Sequence, residues 1–316
     1  IITPKLANRN RDTLHMPRKI FKTKKRNPFI SDKKNKFFAA LTPHAMHFLF
    51  KVLSIFAPTL AEKLALRIFM TPPRYATPEW QKPWLASARS FDVDVKGKTI
   101  RFYEWGKTGP TILLAHGWGG RGSQMSAFID PLMAAGYRVL ALDAPAHGDS
   151  SGKQSDMFEL AAAIGAANQV AGGPLDAVIG HSFGAVCSLL AIHENILKTS
   201  RLVLIGCPSN AIWITEHFAE KIKISPKIAA GMRRQFERRF DNRWTFEDLS
   251  LAGMMKELTI PVLIVHDRHD PDVPWQQAVE LHEANSDSQL LTTEGLGHRR
   301  VLRAPDVIKD CIDFVK

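Results

Sequence analysis

Three residues of this sequence, Ser182, Asp270 and His298, are of the types and in the order that nucleophilic transfer of an acyl group requires. Ser182 is the centre of Gly180-His181-Ser182-Phe183-Gly184, between the strand-like run LDAVIG and the helix-like run AVCSLLAIHEN. That is G-x-S-x-G in the context it needs: a sharp strand-to-helix turn holds the serine strained and exposed, flanking glycines remove colliding side chains, and the helix N-terminus favours nearby negative charge. A serine hydroxyl is a poor nucleophile at neutral pH, so a base must accept its proton. Of the twelve histidines, His298 in EGLGH follows the last strand-like run, where a loop can drop an imidazole beside the serine. An acid must then orient that imidazole, and PVLIVHDRHDPDVP offers Asp267, Asp270 and Asp272. Asp270 is favoured, because Asp267 lies almost within the strand and Asp272 can cap the turn before Pro274.

A tetrahedral intermediate also needs hydrogen-bond donors for its oxyanion. The glycine-rich turn His116-Gly117-Trp118-Gly119-Gly120 follows the run TILLAH, and the expected donors are the backbone N–H groups of Trp118 and Phe183. Trp118 and His181 are the residues expected at the substrate, although the Trp118 indole is equally suited to packing. Asp143, His147, Asp149 and Ser150 crowd one short loop, DAPAHGDS, but after an interior strand such side chains are expected to bond backbone groups. His116, His181, His266 and His269 lie at strand ends, where structural or orienting roles are expected. With no H-E-x-x-H or similar signature, no P-loop and no well-placed G-x-G-x-x-G, neither a metal nor another cofactor is expected.

The elements that must hold these residues can be read from apolar periodicity. FDVDV and TIRFYEW alternate on either side of Lys96-Gly97-Lys98, the pattern of a β-hairpin. Six unalternating runs follow, at 111–116, 137–143, 175–180, 201–206, 261–267 and 288–293, as in strands buried on both faces. Most intervals between them can hold a crossover helix. The pattern predicts an α/β fold: a mostly parallel eight-stranded sheet opened by an antiparallel hairpin, with helices on both faces. Residues 209–258, which include IAAGMRRQFERRF, exceed a single crossover and are expected to form a small helical cap. Arg233, Arg234, Arg238 and Arg239 there could attract an anionic substrate, but a solvated helix face is favoured.

The formal charge of +11 over 316 residues is concentrated in one place. Residues 1–45 carry twelve Lys and Arg against Asp12 and Asp32, so the other 271 residues account for only +1. The basic stretch lacks apolar periodicity and is expected to be a disordered, solvated extension. Binding to nucleic acid is not expected. Met46 stands just before the first apolar stretch, so residues 1–45 are read as a non-native addition or the product of an upstream start. Residues 37–61 contain one charge, Lys51, but Pro43 and Pro58 interrupt them and the uncharged run is too short to span a bilayer. Thr59 and Glu62 read as a capping box opening a helix to about Met70. Residues 46–90 are expected to pack as apolar helices on the 91–316 domain or beside its substrate entrance, with a peripheral membrane contact through residues 37–70 as the alternative. Cys187, Cys207 and Cys311 show no ligand spacing, which fits a reducing cytoplasmic setting.

With HGWGG, D-x-P-x-H-G-x-S, GHSFG and GLGHRR in hand, residues 91–316 resemble the α/β-hydrolase superfamily, in particular its capped bacterial serine hydrolases. The resemblance implies the α/β-hydrolase fold, a cap over the site, and cleavage of a small-molecule carboxylic ester or thioester through an acyl-enzyme without a cofactor. Ala146 stands where the family usually has glycine. The same serine plan serves C–C bond hydrolases and perhydrolases, and an idle member could use the pocket for binding alone; these alternatives stay open, whereas Ser182 disfavours the members that carry aspartate at the elbow.

Overall fold

The computed structural model describes residues 43–242 and 244–316; most of the basic stretch, and with it the expectation of disorder, lies outside them. Eight strands make one sheet: β1 (Arg89–Val95), β2 (Lys98–Trp105), β3 (Thr111–Ala115), β4 (Arg138–Leu142), β5 (Leu175–His181), β6 (Thr199–Ile205), β7 (Val262–Asp267) and β8 (Gln289–Thr293). Their spatial order is β1-β2-β4-β3-β5-β6-β7-β8. The pairs β1–β2 and β2–β4 are antiparallel and all others parallel, so the predicted architecture is the observed one. The hairpin turn is the two residues Lys96 and Gly97, both at positive φ (52° and 78°), a geometry that follows the right-handed twist of the strands.

The unalternating runs are buried on both faces, as their composition requires. In β3, Leu113 and Ala115 enter one apolar layer and Ile112 and Leu114 the other; in β6, Leu202 and Leu204 oppose Val203 and Ile205. The helices α1 (Pro43–Phe56), α2 (Pro58–Phe69), α3 (Lys82–Ser87), α4 (Ile129–Ala134), α5 (Met157–Gly165), α6 (Ala167–Ala171), α7 (Phe183–His193), α8 (Ala211–Ile222), α9 (Pro226–Arg239), α10 (Leu251–Lys256), α11 (Gln276–Ala284), α12 (Gly297–Arg300) and α13 (Pro305–Val315) complete the described chain. Residues of α5, α7, α10 and α11 cover one face of the sheet, and residues of α4 and α13 the other.

A third apolar cluster joins Phe50 of α1, Ala61 and Ala65 of α2, Ala219 of α8, and Ile228, Ala229 and Met232 of α9. The long interval between β6 and β7 thus contains α8, α9 and α10, and its first two helices pack with the N-terminal pair. Helix α1 is described from Pro43, and the reading of residues 1–45 as an extension falls almost wholly outside the described residues. One local expectation is corrected. The Thr59–Glu62 capping box does not form: Pro58 already opens α2 with no side-chain cap, and Glu62 instead accepts from Gln235 Nε2 at 3.1 Å.

The DAPAHGDS loop is a scaffold. Asp143 accepts from the amides of Gly122 and Asp149, each at 2.7 Å, and from the Tyr103 hydroxyl at 2.9 Å. His147 donates from Nδ1 to Pro145 O (2.9 Å) and accepts the Gly119 amide on Nε2 (3.0 Å). His116 mirrors it, donating to Gly117 O (2.7 Å) and accepting from the Ala144 amide (3.0 Å). Each ring needs a bare acceptor nitrogen, so each must be neutral. Burial first of all pushes His116 down to about 4 and His147 down to about 3. Close approach fixes one further position: a Cβ on Gly184, at the start of α7, would lie 2.3 Å from Ala115 O and 2.4 Å from His116 O, both backbone atoms.

Two outcomes follow. As pH falls from 6.5 an unfolded chain protonates both imidazoles and the folded one does not, so stability should drop by up to ~1.4 kcal/mol per pH unit for each ring. The thermal midpoint should be several degrees lower at pH 5.5 than at pH 7, with a shallower slope in His147→Gln; an equal or higher midpoint at pH 5.5 would contradict neutral, buried rings. Gly184→Ala should destabilise by about 3 kcal/mol or more in urea denaturation, because rigid backbone must move.

Candidate active site

All the candidate residues lie at or just beyond the C-terminal ends of parallel strands, the edge at which open α/β sheets build their crevices. Ser182 follows β5 and caps α7 with φ 53° and ψ −120°, a conformation L-residues rarely adopt. Three backbone bonds hold it: the Ser182 amide donates to Ile205 O at 2.8 Å, and the Ala185 and Val186 amides donate to Ser182 O at 3.0 and 3.1 Å. The turn 116–120 follows β3, next to β5 in the sheet. A Cβ on Gly117 would be 3.1 Å from Ser182 Cβ, so a side chain there would crowd the serine and push the two loops apart.

Asp270 follows β7 and His298 opens α12 beyond β8. His298 Nδ1 donates to Asp270 Oδ2 at 2.7 Å, which fixes the tautomer and leaves Nε2 as the bare nitrogen. Asp270 Oδ1 accepts from the amides of Asp272 (2.8 Å) and Val273 (2.9 Å). Burial alone would raise the Asp270 pKa, but the hydrogen bond and charge interaction with His298 and the two amides outweigh it and bring it below the usual carboxylate range. The carboxylate is therefore ionised at neutral pH.

The structure separates the three aspartates offered by the loop. Asp267 accepts from the His269 amide (3.0 Å), the Thr293 hydroxyl (2.9 Å) and the Leu296 amide (2.8 Å), and so ties the histidine loop to β7. Asp272 pairs with Lys221 of α8 at 3.0 Å and lies 4.0 Å from Arg299. Only Asp270 meets the histidine. His266, at 3.7 Å from Asp270 Oδ2, gives its Nε2 proton to Val273 O at 2.8 Å.

Ser182, His298, Trp118, Phe183 and His181 line one cavity of roughly 510 Å³, with α2 (Ile68, Phe69) and α8 (Trp213, Ile214, Phe218) as apolar walls. Among the described residues, neither the Trp118 nor the Phe183 amide has a hydrogen-bond partner, and their rings meet edge to face at 5.2 Å. His181 lies in the lining, but its Nε2 donates to the backbone carbonyl of His298 at 2.8 Å and its ring is 4.6 Å from the His298 ring. Burial pushes its pKa down to about 3, so it braces the loop as a neutral ring. The four arginines of α9 are not in this lining; Arg233 donates to Thr215 Oγ1 at 2.9 Å and Arg234 is 3.9 Å from Glu62.

Two contributors escape sequence reasoning. His298 reaches toward Ser182 across the end of β6, where Gly206 (φ 59°) leaves the space: a Cβ there would lie 3.1 Å from the imidazole and 3.6 Å from Asp270 Oδ2. The only signal is a glycine closing the run RLVLIG, which reads equally as a strand terminator. The tether at Asp267 is hidden because strand-end aspartates have many uses. Among the described residues no group of three or more His, Cys, Asp or Glu is arranged to hold a metal ion.

Comparison with known proteins adds the ancestry. A 2-hydroxy-6-oxononadienedioate/2-hydroxy-6-oxononatrienedioate hydrolase of Escherichia coli is 40% identical over 82 residues, which are 23% of this chain and 28% of that protein's length. The matched stretch thus spans little more than a quarter of those curated relatives. An esterase from Exiguobacterium antarcticum superposes with TM-score 0.56 at 18% identity, covering 71% of this chain and 98% of that one. The thioesterase domain of the curacin biosynthetic pathway gives 0.54 at 18%, covering 72% and 98%. At such identities the two structures speak for the fold alone. The family model described as "Alpha/beta hydrolase family" matches residues 112–310, from β3 through α13 and so across every loop that supplies the site, and the chain belongs to that family.

Proposed function

We propose that the protein hydrolyses a carboxylic ester or thioester of a small molecule through an acyl-enzyme. The observation that carries this reading is the pairing of a serine held at positive φ with a histidine whose Nδ1 is bound by an ionised carboxylate, in one cavity. Ser182 attacks the carbonyl carbon while His298 takes its proton; His298 then protonates the leaving alcohol or thiol and activates the water that releases the acid. Asp270 stabilises the imidazolium without accepting its proton. The Trp118 and Phe183 amides stabilise the oxyanion, and each is expected to contribute on the order of 100- to 1,000-fold in rate. Trp118 walls the acyl side of the pocket, and His181 acts as a positioning residue.

A second reading rests on the Escherichia coli relatives, whose printed activity is hydrolysis of a dienedioate: the same serine and base would cleave a C–C bond. The Lys221–Asp272–Arg299 cluster at the cavity gives that reading two cations for a substrate carboxylate.

p-Nitrophenyl esters of graded acyl length separate the two. The wild type should hydrolyse them, Ser182→Ala should lose on the order of 10⁴-fold or more in kcat, and the best chain length should report the depth of the pocket. No ester or acyl-thioester turnover by folded protein, together with cleavage of a 2-hydroxy-6-oxo dienedioate, would replace the first reading by the second; turnover of none of the three would favour a ligand-binding protein. Asp270→Asn should lower kcat by about 10⁴-fold with little change in the circular dichroism spectrum, since the amide cannot hold the required tautomer. A loss below tenfold would remove Asp270 from the acid's role.

A further inference from the structure

Helix α1 is apolar on two faces, and among the described residues only one of them is packed. Phe50 is buried against α2, α8 and α9, with Met46 and Leu53 packed on the same cluster. On the other side Phe48, Ile55 and Phe56 are 67%, 67% and 81% exposed, and Val52 and Leu60, the latter on α2, are exposed with them. Positions 48, 52, 55 and 56 follow the i, i+4, i+7, i+8 spacing of a single helical stripe. Isolated exposed apolar residues are ordinary, but a contiguous stripe of this kind marks a contact surface.

The charges around the stripe narrow what it contacts. Lys51 is exposed on α1, and the exposed Lys223 at the end of α8 is tied to α1 through the bond between His47 Nδ1 and the Lys223 carbonyl at 3.1 Å. The sequence leading directly into α1, residues 1–42, carries twelve Lys and Arg against two acids. A polyanion such as nucleic acid would satisfy those cations and leave the aromatic stripe in water. A second copy of the chain would cover the stripe and bring two strongly basic segments together. An anionic lipid surface satisfies both features, because apolar side chains enter the headgroup–acyl boundary while cations meet the headgroups; either signal alone binds weakly.

We propose that α1 docks the protein onto an anionic membrane surface, with Phe48, Val52, Ile55, Phe56 and Leu60 inserted and the exposed Lys51 of the same helix at the headgroups. The contact lies on the surface of the bilayer: among the described residues no helix is long and apolar enough to cross a membrane. Helix α2 links this surface to the catalytic cavity. Leu60 at its start belongs to the docking face, and Ile68 and Phe69, about 12 Å further along the axis, belong to the cavity wall. Delivery of a lipophilic ester along α2 rests on the esterase reading above, whereas the docking itself does not.

The test is cosedimentation of the full chain with vesicles of phosphatidylcholine alone and of phosphatidylcholine mixed with phosphatidylglycerol, at low and high salt. Binding should be at least about tenfold stronger to the anionic vesicles and should weaken as salt rises. The exposed-face variant Phe48→Ser/Ile55→Ser/Phe56→Ser should lose about tenfold or more of that binding, with an unchanged circular dichroism spectrum and thermal midpoint. Absence of wild-type binding to anionic vesicles would overturn the proposal. So would undiminished binding of the variant, which would assign adsorption to the basic segment alone. A wild-type dimer in analytical ultracentrifugation that the variant dissolves would assign the stripe to a second copy. None of these measurements involves turnover, so they stand apart from the outcome of the ester assay.

Discussion

One backbone conformation governs the candidate active-site edge of this protein: Ser182 held at φ 53° between β5 and α7. A conformation of this kind costs about 1–3 kcal/mol and persists only where its surroundings leave no alternative. The sheet supplies that compulsion. The Ser182 amide is drawn to the end of β6, its carbonyl receives the first turn of α7, and Gly184 lets that turn lie directly on the backbone leaving β3. The strain is thus met by the burial of two strands and a helix, and the hydroxyl is presented where a straight strand or a regular helix would hide it.

The histidine answers a different constraint, that of distance. Its strand is three places from β5 in the sheet, so the loop must reach back over β6, where Gly206, without a side chain, leaves the imidazole its space. Such a reach would be loose without bracing. Asp267 pins the loop to β7 through Thr293 and Leu296, Asp270 fixes the ring, and His181 holds the main chain from the serine's own strand. Three neutral histidines, His116, His147 and His181, act here as hydrogen-bonding struts, with burial keeping them uncharged.

Much of this was legible in the sequence because the signals are local. The strand runs announce themselves by composition, and Gly180 to Gly184 is a motif whose meaning is set by what flanks it. The choice of Asp270 over its two neighbours also rests on local spacing, and the hydrogen bond to His298 agrees with it. The features that were not legible depend on contacts distant in sequence. Gly206 is unremarkable until a histidine 92 positions later passes over it. Thr59 and Glu62 have capping-box spacing, but Pro58 had already opened the helix and α9 recruits Glu62. The antiparallel pairing of β2 with β4 leaves no mark in either run, since both strands are buried whichever way their neighbour points.

The position of β8 has a consequence for the order in which the molecule becomes whole. It is the edge strand of the sheet, and the loop behind it carries His298. A chain that has folded only as far as β7 already owns the strained serine and the carboxylate, but lacks the imidazole that bonds to that carboxylate. Assembly of the constellation therefore coincides with closure of the sheet's last seam, and fraying at one edge strand is enough to take it apart.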